Sequence, residues 1–394
     1  MSINLHIVLN NFRNDSRVLK ETKSIASKYF DKIYIAALWE DGIDENELLD
    51  NKREVWRVRL RSRGLPKNLF FQVFKYFEWI IKIYIRFRKE PISVVHCHDL
   101  SALPVGALFK FLKKTKVIYD AHELETEQEI GYREKPSLRK RLSKWLERWL
   151  MKRVDAMITV SPSIQQWYSE RFPVVPVNLV RNIPANLENP SVSYPLREQL
   201  EIPDNALLFL FIGMLGADRG IEIALASFQE QEVRHHLAFM GNGPLREKIE
   251  DVIHNCPRIH LLSPVPHKEV ILYSNSADVG VCLNEDTCLS FRYSLPNKLF
   301  ESLIGGIPVL ASDLPDQAEI VRAYGAGWVV QNHSDSLVQF LKELTVEKAK
   351  QMRSGLKDRV KELSWDNEAK VLLHIYEKVL IRNINNKITI SDAR

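Results

Sequence analysis

Cysteine is scarce in this 394-residue chain, and no apolar run is long enough to cross a bilayer. The four cysteines, Cys97, Cys256, Cys282 and Cys288, show no C-x-x-C spacing and read as buried thiols in a reducing compartment. The most apolar stretch, Leu69 to Ile85, is interrupted by Lys75, Glu78 and Lys82, so it is too short and too charged to span. The chain enters a strand pattern at Ile3–Leu9, with no basic segment, apolar segment and cleavage site before it, and no signal peptide is expected. Low-complexity segments are missing, as are the Gly-x-Ser-x-Gly, zincin and Walker patterns. These absences point to a cytoplasmic protein, at most peripheral at the inner face of a membrane.

What is present is a globular composition, 45% apolar and 27% charged, in a chain long enough for two domains. The net charge of +5 conceals an asymmetry. Residues 1–190 carry 33 Lys+Arg against 23 Asp+Glu, and the remainder carries 22 against 27. A basic half and an acidic half are expected to meet different partners.

Short β-branched runs alternate with amphipathic stretches. Strands are expected at Ile3–Leu9, Lys32–Leu38, Val55–Leu60, Ser93–His98, Lys116–Ala121, Ala156–Val160 and Val177–Arg181. Helical periods fall at Ser16–Tyr29, Leu69–Arg88, Leu103–Lys113, Ser137–Arg153 and Pro162–Arg171. Apolar strands separated by helices imply a parallel sheet covered on both faces, which binds ligands at the carboxyl ends of its strands. Arg181 to Pro195, with three prolines and three asparagines, reads as a linker. The alternation then restarts at Leu207–Gly213, Leu237–Gly241, Ile259–Leu262, Val279–Leu283, Pro308–Ser312 and Trp328–Val330, and Glu347 to Ile381 is helical in period. The fold class is therefore α/β, with two Rossmann-like domains and a cleft suited to a two-substrate transfer.

The richest segment runs from Ser294 to Asp313. Pro296 suits a first helical turn, whose free N–H groups form an anion site with Lys298 beside them. Glu301, one turn on, could accept hydrogen bonds from ribose hydroxyls, although an ordinary helix start with solvated Lys and Glu would read the same way. Pro296-x-Lys298-x-x-Glu301, with Gly305, Gly306 and Pro308 after it, resembles the donor site of retaining GT-B glycosyltransferases of family 4, and the likeness spans nearly the whole chain. Two positions depart from the family pattern. Tyr293 stands where an acidic residue is usual, and Met214 stands where a second arginine is frequent.

The resemblance implies a nucleotide-sugar donor gripped by Gly213, Arg219, Gly241-Asn242-Gly243-Pro244, Ser294, Pro296, Asn297, Lys298, Leu299 and Glu301. It implies a front-side attack by an acceptor hydroxyl, with Arg219 and Lys298 neutralising the leaving diphosphate and His122 near the transferred sugar. Asn14, Arg17, His98, Asp99 and Glu123 would lie on the acceptor side, Asp15 or Ser16 capping the helix that carries Arg17. Arg17 would counter phosphate charge or simply be solvated, and His98 would line the site or be a satisfied core histidine. His96-Cys-His98-Asp99 and Asp120-Ala-His122-Glu123 could also ligate a transition metal. The family needs no metal for transfer, so no metal or other cofactor is expected. The last helix would return to the first domain, giving domains of 1–185 plus about 366–394, and 195–365.

Two basic stretches, Lys67–Lys89 and Arg133–Arg153, are interleaved with aromatics. They fit either an anionic membrane surface or a core-facing stripe with a solvated basic face. A glycan or lipid-linked acceptor would suit the former; no nucleic-acid motif accompanies the charge. The expected function is retaining transfer in polysaccharide or glycolipid synthesis. A nucleotide-sugar 2-epimerase and a non-catalytic, glycosyltransferase-like binding subunit are the alternatives.

Overall fold

The computed structural model describes residues 2–13, 15–129, 137–185 and 194–391, with the backbone alone at 267 and 382–391. The chain forms two compact units. Of the described residues, those up to Glu127, from 137 to Arg181 and from Glu368 onward make the first, and 128–129 with 182–367 make the second.

The first unit is built on eight strands: β1 (Ile3–Ile7), β2 (Lys32–Leu38), β3 (Asn46–Leu48), β4 (Arg53–Val58), β5 (Ile92–His98), β6 (Lys116–Ala121), β7 (Ala156–Thr159) and β8 (Val177–Leu179). Their order is β3-β4-β2-β1-β5-β6-β7-β8. All pairings are parallel except β3 with β4. The strand β3 was not expected. Its three residues are exposed, so it carries no apolar signal, and only edge pairing with β4 defines it. The central strand β1 is buried at every residue, as a strand covered on both faces must be.

The covering helices are α1 (Ser16–Ala26), α2 (Leu69–Phe87), α3 (Asp99–Lys113), α4 (Leu138–Met151) and α5 (Pro162–Arg171). All but α3 start at a polar side-chain cap. Asp15 accepts from the Val18 amide at 3.1 Å, Asn68 from Phe71 at 3.0 Å, and Ser161 from Ile164 at 3.3 Å. Helix α3 begins four residues before the expected Leu103. Pro104 hides that start, because its ring sits in the second turn while the chain has already turned helical at Asp99.

The second unit holds β9 (Leu208–Ile212), β10 (His236–Met240), β11 (Ile259–Leu262), β12 (Val279–Cys282), β13 (Val309–Ser312) and β14 (Gly327–Val330). They form a parallel sheet ordered β11-β10-β9-β12-β13-β14. Phe209, Phe211, Phe228 and Phe239 fill its core beside helix α6 (Ile221–Gln229). Helices α7 (Asn297–Ile304) and α8 (Pro315–Ala323) follow β12 and β13. The final helix α9 (Trp365–Ser391) belongs to the first unit from Glu368 onward. There Glu368, buried, is paired with Arg181 at 2.6 Å. Among the described residues no helix is long and apolar enough to cross a membrane.

Each sheet reverses its winding direction once, between β1 and β5 in the first unit and between β9 and β12 in the second. The carboxyl ends of those strand pairs are where an open α/β sheet leaves a crevice for ligand.

Candidate donor and acceptor sites

In the second unit, the strand ends at this reversal lead into the loop 213–220 and into Leu283–Glu285. Backbone must approach backbone closely here, and glycine permits it. Gly220 has φ +74°, and a Cβ on it would lie 2.0 Å from the Leu283 carbonyl oxygen. Gly241 has φ +155°, and its Cβ would lie 1.9 Å from the carbonyl oxygen of Gly213. The Leu215 amide donates to Asn242 at 2.9 Å, tying the 213–220 loop to the Gly241-Asn-Gly-Pro244 turn. Met214, at the position of the missing second arginine, is exposed.

Helix α7 starts with Pro296 as its N-cap, φ −69° and ψ 145°, so the proline lies one residue outside the turn expected to contain it. Pro296 offers no side-chain cap. The first-turn amides are therefore not capped by it, and Lys298 stands among them. Lys298 is 8% exposed, and its Nζ has no hydrogen-bond partner among the described residues. The nearest favourable group is the face of Phe211, 3.7 Å from Nζ to ring centroid. Burial drives its pKa down to about 8, with the nearby Arg219 cation adding to the effect against the opposing pull of Glu301. Arg219 is half-buried, lies 5.9 Å from the Phe291 ring and has no carboxylate partner among the described residues. Glu301 is buried on the same helix. The second unit thus holds one cation with no hydrogen bond and another with no ion pair, next to a helix N-terminus.

Several polar residues around this place were missed from the sequence. Glu285 accepts from the Gly220 amide at 3.2 Å. Asn284 Nδ2 donates to Ser294 Oγ at 3.2 Å, and Gln317 Nε2 to the Ser294 carbonyl at 3.3 Å. Asn284 and Glu285 follow an apolar strand, a signal common to most loops, and Gln317 is one polar residue on α8, so none is distinctive. Tyr293, where an acidic residue was expected from the family pattern, is half-buried.

The first unit presents a different object. Its reversal point is packed with polar groups placed by period-two alternation: Asn4 and His6 on β1, His96 and His98 on β5, Asp120 on β6, then His122. The register pairs His6 with His96 and His98 with Asp120. His6 Nδ1 and His98 Nε2 share a 2.9 Å hydrogen bond, and His96 stacks on both rings, 4.6 Å and 4.5 Å between centroids. The Tyr376 hydroxyl, from α9, reaches His96 Nδ1 at 2.7 Å. Burial holds His6 and His96 well below the usual histidine range, so both are neutral. Asn4, His6, Glu21 and Tyr376 were not singled out from the sequence. The alternation Asn4-x-His6 was visible there, but nothing local says that it meets His96-x-His98.

One expectation is corrected here, and one pair of alternatives is decided. Arg17 is neither solvated nor free to meet phosphate. It is buried, with Nη2 and Nε each 2.8 Å from the Asp120 carboxylate, Nε 3.0 Å from Glu21, and Nη1 on the Val180 carbonyl at 3.0 Å. The physical reason is that Asp120, ending a central strand, needs an internal counter-charge. His98 is a satisfied core histidine, closed between His6 and Asp120, and does not line an open surface.

His122 stands at the edge of this cluster, about a quarter exposed. Its Nε2 lies 3.0 Å from Asp120 and its Nδ1 3.5 Å from Asp99. Burial opposes its protonation, but the two carboxylates prevail and raise it to about 10, so it is an imidazolium at neutral pH. Asp99 holds φ +65°, an unusual backbone for a non-glycine residue, and its side chain also accepts from the His122 amide at 3.1 Å. Glu125 accepts from the Leu100 amide at 2.7 Å, and burial beside Asp99 raises it to about 7. Glu123 is exposed. Asn14 lies outside the described residues.

Two Rossmann-like α/β units with ligand-ready strand ends define the GT-B class of protein. Comparison with known proteins agrees. Residues 31–184 match the model of glycosyltransferase family 4, and residues 194–363 match that of glycosyl transferases group 1. An uncharacterized glycosyltransferase of Methanocaldococcus jannaschii is 25% identical over 352 residues, covering 83% of this chain and 85% of that protein. Sucrose-phosphate synthase of Thermosynechococcus elongatus superposes with a TM-score of 0.77 at 16% identity, over 97% of this chain and 100% of that one. HepE of Anabaena, solved with UDP-glucose, gives 0.68 at 13% identity over 95% and 99%. The chain belongs to the GT-B glycosyltransferases of family 4, group 1 type, and is an enzyme that transfers sugars.

Proposed function

We propose that this enzyme moves a sugar from a nucleotide-sugar donor, with retention of configuration, onto a glycan or lipid-linked acceptor in polysaccharide or glycolipid assembly, at the inner face of an anionic membrane. The observation that carries the reading is Lys298. A buried ammonium with no hydrogen-bond partner is costly to fold around, and a diphosphate would repay that cost together with the uncapped amides of α7. Arg219 supplies a second cation. As the nucleoside diphosphate leaves, charge grows on its oxygens, and pre-placed cations stabilise that charge without reorganising. Glu301, one turn further along α7, is assigned to ribose hydroxyls.

In the first unit the imidazolium of His122, held by Asp99 and Asp120, is assigned to the transferred sugar and its acceptor. No nucleophilic side chain is required, and neither is a resident metal. In the group of His6, Glu21, His96 and His98 the stacked rings support that, because a metal lies in the plane of each imidazole it binds and the His96 ring lies over the other two. In the group of His98, Asp120 and His122, both His122 nitrogens face the carboxylates of Asp99 and Asp120.

Titration of the purified chain with nucleoside diphosphates, UDP first because HepE was solved with a UDP-sugar, tests the reading. One nucleotide family should raise the melting temperature; at a hundredfold excess over Kd the gain is about 2.7 kcal/mol. Glu301→Ala and Arg219→Ala should each weaken that binding at least about tenfold while the fold survives, the loss expected for one charged hydrogen bond. Donor binding by either variant at the parent's affinity would show the site to be misplaced.

A further inference from the structure

The amphipathic stretches of the first unit do not bury all their apolar residues. Helix α2 turns Trp79, Ile80, Ile83 and Phe87 inward, yet leaves Phe70, Phe74 and Phe77 at 74%, 53% and 56% exposure. Helix α4 does the same with Leu138, Leu142, Trp145 and Trp149, spaced four, three and four residues apart and therefore on one exposed stripe. The core-facing reading of these helices is thus incomplete: each has a second apolar face with no partner among the described residues.

Beside the α4 stripe, a cavity of about 560 Å³ opens between α4, α5 and residues 172–175. Four cations line it: Lys144, Arg148, Lys152 and Arg171. Arg171 lies over the Trp167 ring at 3.9 Å, and Lys144 is paired with Glu127. Arg148 and Lys152 have no carboxylate partner among the described residues. The one acid of the wall, Glu147, is buried and turned inward, accepting from the Tyr168 hydroxyl at 2.7 Å. Arg148 and Lys152 are four residues apart and each follows a stripe residue by three, so they edge the stripe and the cavity together. Val174, almost fully exposed, stands on the cavity's opposite rim. Apolar edges around a cationic floor match a lipid headgroup, whose phosphate sits next to acyl chains.

We propose that this cavity holds the headgroup phosphate of an anionic phospholipid, with the α4 stripe and Val174 seated among the acyl chains around it. The inference rests on the reading that the enzyme works at a membrane. It adds a second phosphate site, on the first unit and separate from the donor site of the second.

The test is co-sedimentation of the full chain with vesicles of phosphatidylcholine alone or with about a third phosphatidylglycerol. The parent should bind the mixed vesicles and not the neutral ones. Arg148→Ala/Lys152→Ala should lower partitioning about thirtyfold, from roughly a fivefold effect for each cation at the surface. Arg139→Ala/Arg153→Ala, which removes equal charge from the far side of the same stripe, should lower it at least several-fold less. Unchanged melting temperatures of both variants confirm that each is folded. Equal losses in the two variants would overturn the cavity while leaving the membrane reading intact. No binding of the parent to anionic vesicles would overturn both, and UDP titration of the same sample would show whether the donor site still stands. Release of the bound parent by inorganic phosphate at constant ionic strength would reassign the cavity to a soluble phosphate compound.

Discussion

Arg17 and Lys298 are both buried cations near the carboxyl ends of parallel strands, and the two units treat them in opposite ways. Arg17 is surrounded: Asp120 holds it bidentately, Glu21 flanks it, and the Val180 carbonyl takes a third bond. Lys298 meets an aromatic face and, among the described residues, no hydrogen-bond acceptor. A cation satisfied from within does structural work, because its neighbours would be uncompensated without it. One left unsatisfied costs stability in the free protein and is explained by something that arrives later. The difference separates a framework arginine from a binding lysine, although both are basic residues on the first turns of helices.

The contrast can be broken at either end. Arg17→Met takes from the buried Asp120 its bidentate partner and leaves the His122 imidazolium as the cation still beside it. It should destabilise the protein by about 3–5 kcal/mol, read as a fall in the urea midpoint. An unchanged midpoint would mean that Arg17 is not the keystone described here. Lys298→Met should act with the opposite sign. The folded pKa of about 8 lies below the ordinary 10.5, so the folded state takes up its proton reluctantly. The variant should gain up to roughly 3 kcal/mol at pH 7 while losing donor affinity tenfold or more. A loss of stability there would place Lys298 in the framework instead.

The same shift sets a pH dependence. The penalty is full below pH 8 and vanishes above about 10.5, so the contribution of Lys298 to stability rises with pH across that window. Donor affinity runs the other way, falling above about pH 8 as the ammonium is lost, by up to about tenfold per pH unit for a strictly required proton. Calorimetric titration from pH 7 to 9.5 checks it, and Lys298→Arg should flatten the profile. The smallest effect belongs to the histidine cluster. Tyr376→Phe removes the hydroxyl on His96 and should cost about 1–2 kcal/mol, with donor affinity untouched.

Much of this molecule could be read along the chain. Seven of the eight strands in the first unit and all six in the second lie within one or two residues of the expected bounds, because buried parallel strands are uninterrupted apolar runs. The Pro296–Glu301 element and the Gly241-Asn-Gly-Pro244 turn were legible for a similar reason: proline and glycine mark backbone geometry directly. The exposed strand β3 and the early start of α3 were not, since one has no apolar signal and the other conceals its first turn behind Pro104. Arg17 was misjudged, and His98 was left between two readings, because a residue's type states its charge and not its company.

The sequence by itself determined two α/β units, where their strands end, and which loop carries lysine beside a helix N-terminus. Those features are local, set by hydrophobic period and by proline and glycine. Only the tertiary structure decided that Asn4, His6, His96, His98, Asp120 and Tyr376 form one buried network, that Lys298 is left without an acceptor, and that the aromatics of α2 and α4 divide between core and surface. Each of these depends on residues tens to hundreds of positions apart coming within a few ångströms, and strand order and register, not composition, bring them there.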